Sequence, residues 1–157
     1  MKKFKIGVVV DSFRMSPREG VLAASKVGAE GIQIYGWTKE FSPNKLDAAA
    51  RRDFRNLLKD QGLVLSAVCG DIGTFMYPET NPERISRSKQ IVDFAVELGT
   101  NIVTTHIGVV PEDADSTRYK VMQDACRELG TYASNNGVSF AIETGPETAV
   151  TLRKFLD

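Results

Sequence analysis

Gly99-Thr100-Asn101-Ile102-Val103-Thr104-Thr105-His106-Ile107-Gly108 is the stretch on which the fold turns. A glycine closes whatever precedes it, a run of apolar and β-branched residues follows, and the run stops at the only histidine in the chain. A short, nearly continuous run of this kind reads as a strand covered on both faces, as in parallel sheets. The glycine before it supplies the left-handed residue through which a helix reverses into a strand.

The same unit recurs on either side. Strands are expected at residues 5–10, 31–35, 64–68, 102–105 and 139–142, each followed by an amphipathic segment. Ser16-Pro17-Arg18-Glu19 offers an N-cap hydroxyl, a proline at the first helical position and a Glu three residues after the cap, a capping box. Asn81-Pro82-Glu83 repeats the cap-then-proline device. Tyr119, Met122, Cys126, Leu129 and Ala133 fall at steps of three and four, which places Cys126 in a helix–sheet core. Gly28, Gly62, Gly99 and Gly137 end the first four helices. The chain is thus a βα repeat of five units, without a linker or a low-complexity tract. Its last segment, 152–157, reads as a helix with nothing after it to cover the fifth strand.

Composition agrees with a single folded unit. The 157 residues are 42% hydrophobic and 25% charged, and 20 Lys and Arg balance 20 Asp and Glu. A chain of this length buries roughly 70% of its unfolded surface and needs no disulfide or structural metal to stand. Zero net charge lacks the basic footprint of a nucleic-acid or anionic-membrane binder, so neither partner is expected. The apolar run at residues 6–10 is too short for a secretory core or a membrane span, and a cytoplasmic location is expected. Cys69 and Cys126 lack metal-finger spacing and read as reduced thiols.

Polar residues gather at the C-terminal strand ends: Asp11, Trp37 two residues after strand two, Asp71, His106 and Glu143. In parallel βα proteins those ends share one rim, where the βα loops build the active site. Asp11 and Asp71 read first as loop caps. His106 is either a hydrogen-bonded structural residue or a ligand. Glu143 closes a buried strand, where its desolvation calls for a metal, a cation or a salt bridge to Arg or Lys. Trp37, Phe75 and Tyr77 shape a pocket or cover the core.

Residues 99–108, taken with Phe140-Ala141-Ile142-Glu143-Thr144-Gly145-Pro146-Glu147-Thr148-Ala149 one unit later, resemble the sugar-phosphate isomerase/epimerase family, the xylose-isomerase-like TIM barrels. Val27-Gly28-Ala29-Glu30-Gly31-Ile32-Gln33-Ile34 is similar to the family's second strand, where Glu is more usual than Gln33. The resemblance implies a (βα)5 portion of a (β/α)8 barrel; a doubly wound flavodoxin-like sheet is the alternative. It also implies a divalent metal (Mn, Mg, Co or Zn), with Glu143 as the strand-five metal ligand. His106 would face the substrate or the metal, Glu147 would orient a sugar or sugar phosphate, and Trp37 is a candidate substrate contact. A Glu in the first turn of a helix is equally accounted for by the helix dipole.

The chemistry so implied is proton transfer between neighbouring carbons through an ene-diolate. The family's other metal ligands follow strands six to eight. At about 33 residues per unit, eight units need roughly 250–270 residues. Residues 1–157 are therefore expected to form one incomplete barrel domain, inactive alone, with or without bound metal. Two further readings stand beside it. One is an AP-endonuclease-like zinc hydrolase, which calls for a histidine where strand three ends in Cys69-Gly70-Asp71. The other is a non-catalytic binding or assembly module, homodimeric through exposed strand edges.

Overall fold

Helices and strands alternate throughout the computed structural model, which describes residues 4–157. The strands are β1 (Gly7–Val9), β2 (Gly31–Tyr35), β3 (Val64–Cys69), β4 (Ile102–Thr105) and β5 (Ser139–Ile142). The helices are α1 (Pro17–Lys26), α2 (Ala48–Asp60), α3 (Asn81–Leu98), α4 (Thr117–Asn135) and α5 (Ala149–Leu156). All strand pairs are parallel, in the order β1-β2-β3-β4-β5. A flavodoxin-like sheet would place β1 between β2 and β3. Here each strand pairs with the next, and consecutive helices α1 to α4 touch one another on one side of the sheet. This is the wall of a barrel, and the doubly wound alternative is set aside.

The core lies between that wall and its helices. Ile32, Ile34, Leu65, Val68 and Val103 meet Val21, Leu57, Ile91 and Phe94, all under a tenth exposed. A second cluster joins Phe75 and Ile107 to Tyr119, Met122 and Leu129 of α4 and Leu152 and Phe155 of α5. Each such side chain contributes about 1.5–3 kcal/mol by leaving water.

Only one face of the sheet is packed in this way. Ile32 and Ile34 are buried while Tyr35 is exposed, and Val64, Ile102 and Ser139 are exposed beside buried Leu65 and Val103. The helices cover the outer face alone; on the other face Ala67 and Cys69 are buried while Tyr35, Val64 and Ile102 are exposed. Parity changes once. Ile32 pairs with Leu65 but Gln33 pairs with Ala67, so Ser66 is an extra residue in β3. Its hydroxyl donates to the Ile32 carbonyl at 2.7 Å, which occupies the gap in the ladder.

Several local expectations are corrected. β1 spans Gly7–Val9 rather than residues 5–10, because Val10 opens a 3-10 turn that ends at Arg14 with a left-handed φ of 56°. Thr80, not Asn81, is the N-cap of α3; Asn81 is buried and donates from Nδ2 to the Phe75 carbonyl at 3.0 Å. Glu147 precedes the Thr148 cap of α5 and so is outside the first helical turn. β5 has a helix over its outer face, since Leu152 and Phe155 pack in the cluster that Phe140 and Ile142 flank. The capping box of α1 is formed as read, and Cys126 packs partly buried against the second cluster. Both cysteines are free thiols. Among the described residues no helix is long and apolar enough to cross a membrane.

Candidate functional site

The backbone ladder continues past the strand ends and carries the rim residues with it. Gly36 N–H donates to the Cys69 carbonyl at 2.7 Å, Gly70 N–H to Thr104 at 2.7 Å and Glu143 N–H to Thr105 at 2.9 Å. On the open face, Tyr35 pairs with Cys69, Cys69 with Thr104 and Thr104 with Ala141. Side chains alternate along a strand, so the next row on this face is Asp71, His106 and Glu143. Gln33 lies one step below and donates from Nε2 to Thr104 Oγ1 at 3.3 Å. With Ala141, Ile142 and Glu143 these two line a cavity of about 180 Å³.

The imidazole of His106 stands between two carboxylates. Its Nδ1 lies 3.1 Å from Asp71 Oδ2, and its Nε2 lies 3.6 Å from Glu143 Oε2. The three side chains are 49%, 31% and 56% exposed, so the group is open to solvent and to a ligand. Because Asp71 and Glu143 face opposite ring nitrogens, the three do not converge on one point. Among the described residues no trio of His, Cys, Asp or Glu is placed to hold a metal ion. Glu143 is half-exposed rather than desolvated, as its place at the end of a buried strand had implied, and the group facing its carboxylate is the His106 imidazole rather than an Arg or Lys.

The loops around this row are fastened to one another. Phe75 N–H donates to the Ile107 carbonyl at 2.9 Å, joining the loops after β3 and β4. At Gly108, where φ is 99°, a Cβ would fall 2.6 Å from Met76 Sδ and 2.9 Å from Thr74 Cβ. Only glycine permits both that backbone conformation and that closeness. Glu147 joins the loops after β4 and β5: its carboxylate accepts from Gly145 N–H at 2.8 Å and Val110 N–H at 3.4 Å. Asp11 is a loop fastener too, accepting from Tyr35 N–H at 2.9 Å.

Of the residues singled out in the sequence, the structure brings Glu143 and His106 together. Trp37 is half-buried against the larger core cluster, with the Arg87 guanidinium 5.3 Å from its ring centre. Neither Trp37 nor Glu147 shares a hydrogen bond or ring contact with the His106 group among the described residues. From the sequence Asp71 reads as a loop cap and Thr104 as a strand residue without a role. The Ser66 bulge, which brings Asp71 onto the open face, has no signature in the residue pattern.

A one-sided parallel wall in sequential strand order, with its ionisable groups at the C-terminal rim, defines the (βα) barrel class. The chain belongs to the xylose isomerase-like TIM barrel family, whose sequence profile matches residues 21–157. No curated protein sequence matches it. Among solved structures it is similar to a xylose isomerase domain protein from Planctomyces limnophilus, with a TM-score of 0.81 and 25% identity over 98% of this chain and 58% of that one. A probable 3-DHS dehydratase from Bacillus anthracis gives a TM-score of 0.75 at 20% identity, over 98% of this chain and 58% of that one. A sugar phosphate isomerase/epimerase from Parabacteroides distasonis gives 0.66 at 16% identity, over 99% and 62%. The chain therefore spans about three fifths of the length of these relatives.

Proposed function

We propose that the chain carries part of the active site of a sugar or sugar-phosphate isomerase or epimerase. The observation that carries this reading is the approach of Glu143 to His106 Nε2 at the C-terminal rim, 3.6 Å apart and open to solvent. A carboxylate and an imidazole suit a divalent metal such as Mn, Mg, Co or Zn as two of its ligands. A bound metal would supply the positive charge that stabilises an ene-diolate. Glu143 and His106 Nε2 would hold it, with further ligands needed beyond these two. In this reading His106 and Glu143 would also move a proton on a substrate carbon or hydroxyl, and Gln33 and Thr104 form a polar floor beneath them. Glu147 supports the pocket by holding two of its loops, and Trp37, packed on the larger core cluster beside Arg87, would serve as a substrate contact only outside that cavity's lining. The structural likeness to a sugar phosphate isomerase/epimerase from Parabacteroides distasonis agrees with this reading. An AP-endonuclease-like hydrolase is less well supported, because the end of β3 offers Asp71 where that chemistry calls for a further histidine.

The test is Mn²⁺ binding by electron paramagnetic resonance, with aldose–ketose interconversion assayed in parallel. The expected result is weak Mn²⁺ binding that falls by about tenfold or more in Glu143→Gln, without turnover by these 157 residues alone. An unchanged affinity in Glu143→Gln would remove the metal reading. Tight stoichiometric metal binding with turnover would show instead that the site is complete.

A further inference from the structure

A neutral imidazole has one N–H, yet His106 has a carboxylate facing each of its nitrogens. The two approaches are unequal. At 3.1 Å the Nδ1–Asp71 pair lies within hydrogen-bonding range, whereas 3.6 Å at the Nε2–Glu143 pair is beyond it. We propose that Asp71 is a positioning residue that holds His106 as its Nδ1–H tautomer and so turns the Nε2 lone pair toward Glu143. Two electron-rich groups then face each other across a gap, and a cation or a substrate proton is what fits between them.

Asp71 is itself built into place. Its Oδ1 accepts from Gly73 N–H at 3.4 Å, closing a turn that passes through Gly73 with φ 110°. Arg84 of α3 packs over that glycine and donates to the Thr74 carbonyl, anchoring the next residue of the loop. The Phe75–Ile107 backbone bond and the close approach at Gly108 then lock this loop to the one that carries His106. The carboxylate and the ring thus come from two loops that form one rigid unit. A group whose only task was to cap its own loop would not need the second fastening. The catalytic value of the tautomer rests on the isomerase reading; the tautomer itself rests on the two distances.

With one histidine in the chain, long-range ¹H–¹⁵N correlation spectra report on His106 without assignment. The metal-free 157-residue chain is measured at a pH where the ring is neutral. The expected wild-type spectrum has a pyrrole-type Nδ1 and a pyridine-type Nε2. In Asp71→Ala the Nδ1–H to Nε2–H ratio is expected to fall by about tenfold or more, the share a charge-assisted hydrogen bond commands. Asp71→Asn, which keeps the volume, shows a smaller change in the same direction. Glu143→Gln leaves Nδ1–H dominant, while the same variant lowers Mn²⁺ affinity if the isomerase reading holds. The two ideas therefore fail separately. A wild-type ring protonated mainly at Nε2, or an unchanged ratio in a folded Asp71→Ala, overturns the proposal.

Discussion

At the scale of single residues, burial decides which groups are reactive. The Cys126 thiol is pushed from an ordinary 9.0 up to about 12 by desolvation between α4 and the second cluster. Cys69 is also raised, again first by burial. Both should resist alkylation at pH 8 in the native protein and react fully once it is unfolded, as mass spectrometry after iodoacetamide would show. The sign for stability follows. The unfolded chain ionises Cys126 near pH 9 while the folded chain does not until about 12. Its contribution is therefore complete below pH 9 and is lost as the pH rises toward 12. Glu147 shows how a residue with a catalytic look acts through the backbone. Glu147→Ala removes the acceptor for Gly145 and Val110, and should cost about 1–2 kcal/mol and speed hydrogen exchange at those two amides. Unchanged exchange at both amides would contradict that role.

Glycines behave differently according to the element that holds them. Gly130 lies within α4 with nothing within 4 Å of an added Cβ, so Gly130→Ala should stabilise by about 0.5–1 kcal/mol. Gly108→Ala meets Met76 and Thr74 with φ at 99°, and should destabilise by about 1–3 kcal/mol in the same chemical-denaturation experiment. The same distinction explains what could be read from the sequence. The βα order, the α1 capping box and the rim positions of His106 and Glu143 follow from local chemistry, and they are legible as such. The start of α3 reads one residue late because Asn81, its first residue, turns its side chain to the Phe75 carbonyl instead of capping the helix. Asp71 reads as no more than a loop cap because its partner lies 35 residues away, just past the end of the next strand. No local pattern encodes a contact of that kind.

For the whole molecule, the sheet has β1 and β5 as its edge strands, and its open face carries exposed Tyr35, Val64 and Ile102. Unpaired edges beside apolar surface favour self-association. Light scattering of the 157-residue chain should therefore report a homodimer, and a strict monomer at all concentrations would contradict that expectation.

Ser66 has a consequence for how this site tolerates change. It shifts the count of β3 by one, so that residues 67, 69 and 71 share the open face with Gln33 and Tyr35 rather than the packed face with Leu65. Deleting Ser66 would remove the extra residue and the bulge together, so Ala67 would still face Gln33 and Asp71 would stay on the open face. A strand of unchanged length paired without the bulge would instead turn Asp71 to the helix side and Val68 out into water, with the identity of every residue in the Asp71–His106–Glu143 row unaltered. What keeps Asp71 on the rim is thus the extra place in β3 held by a serine that takes no part in its chemistry.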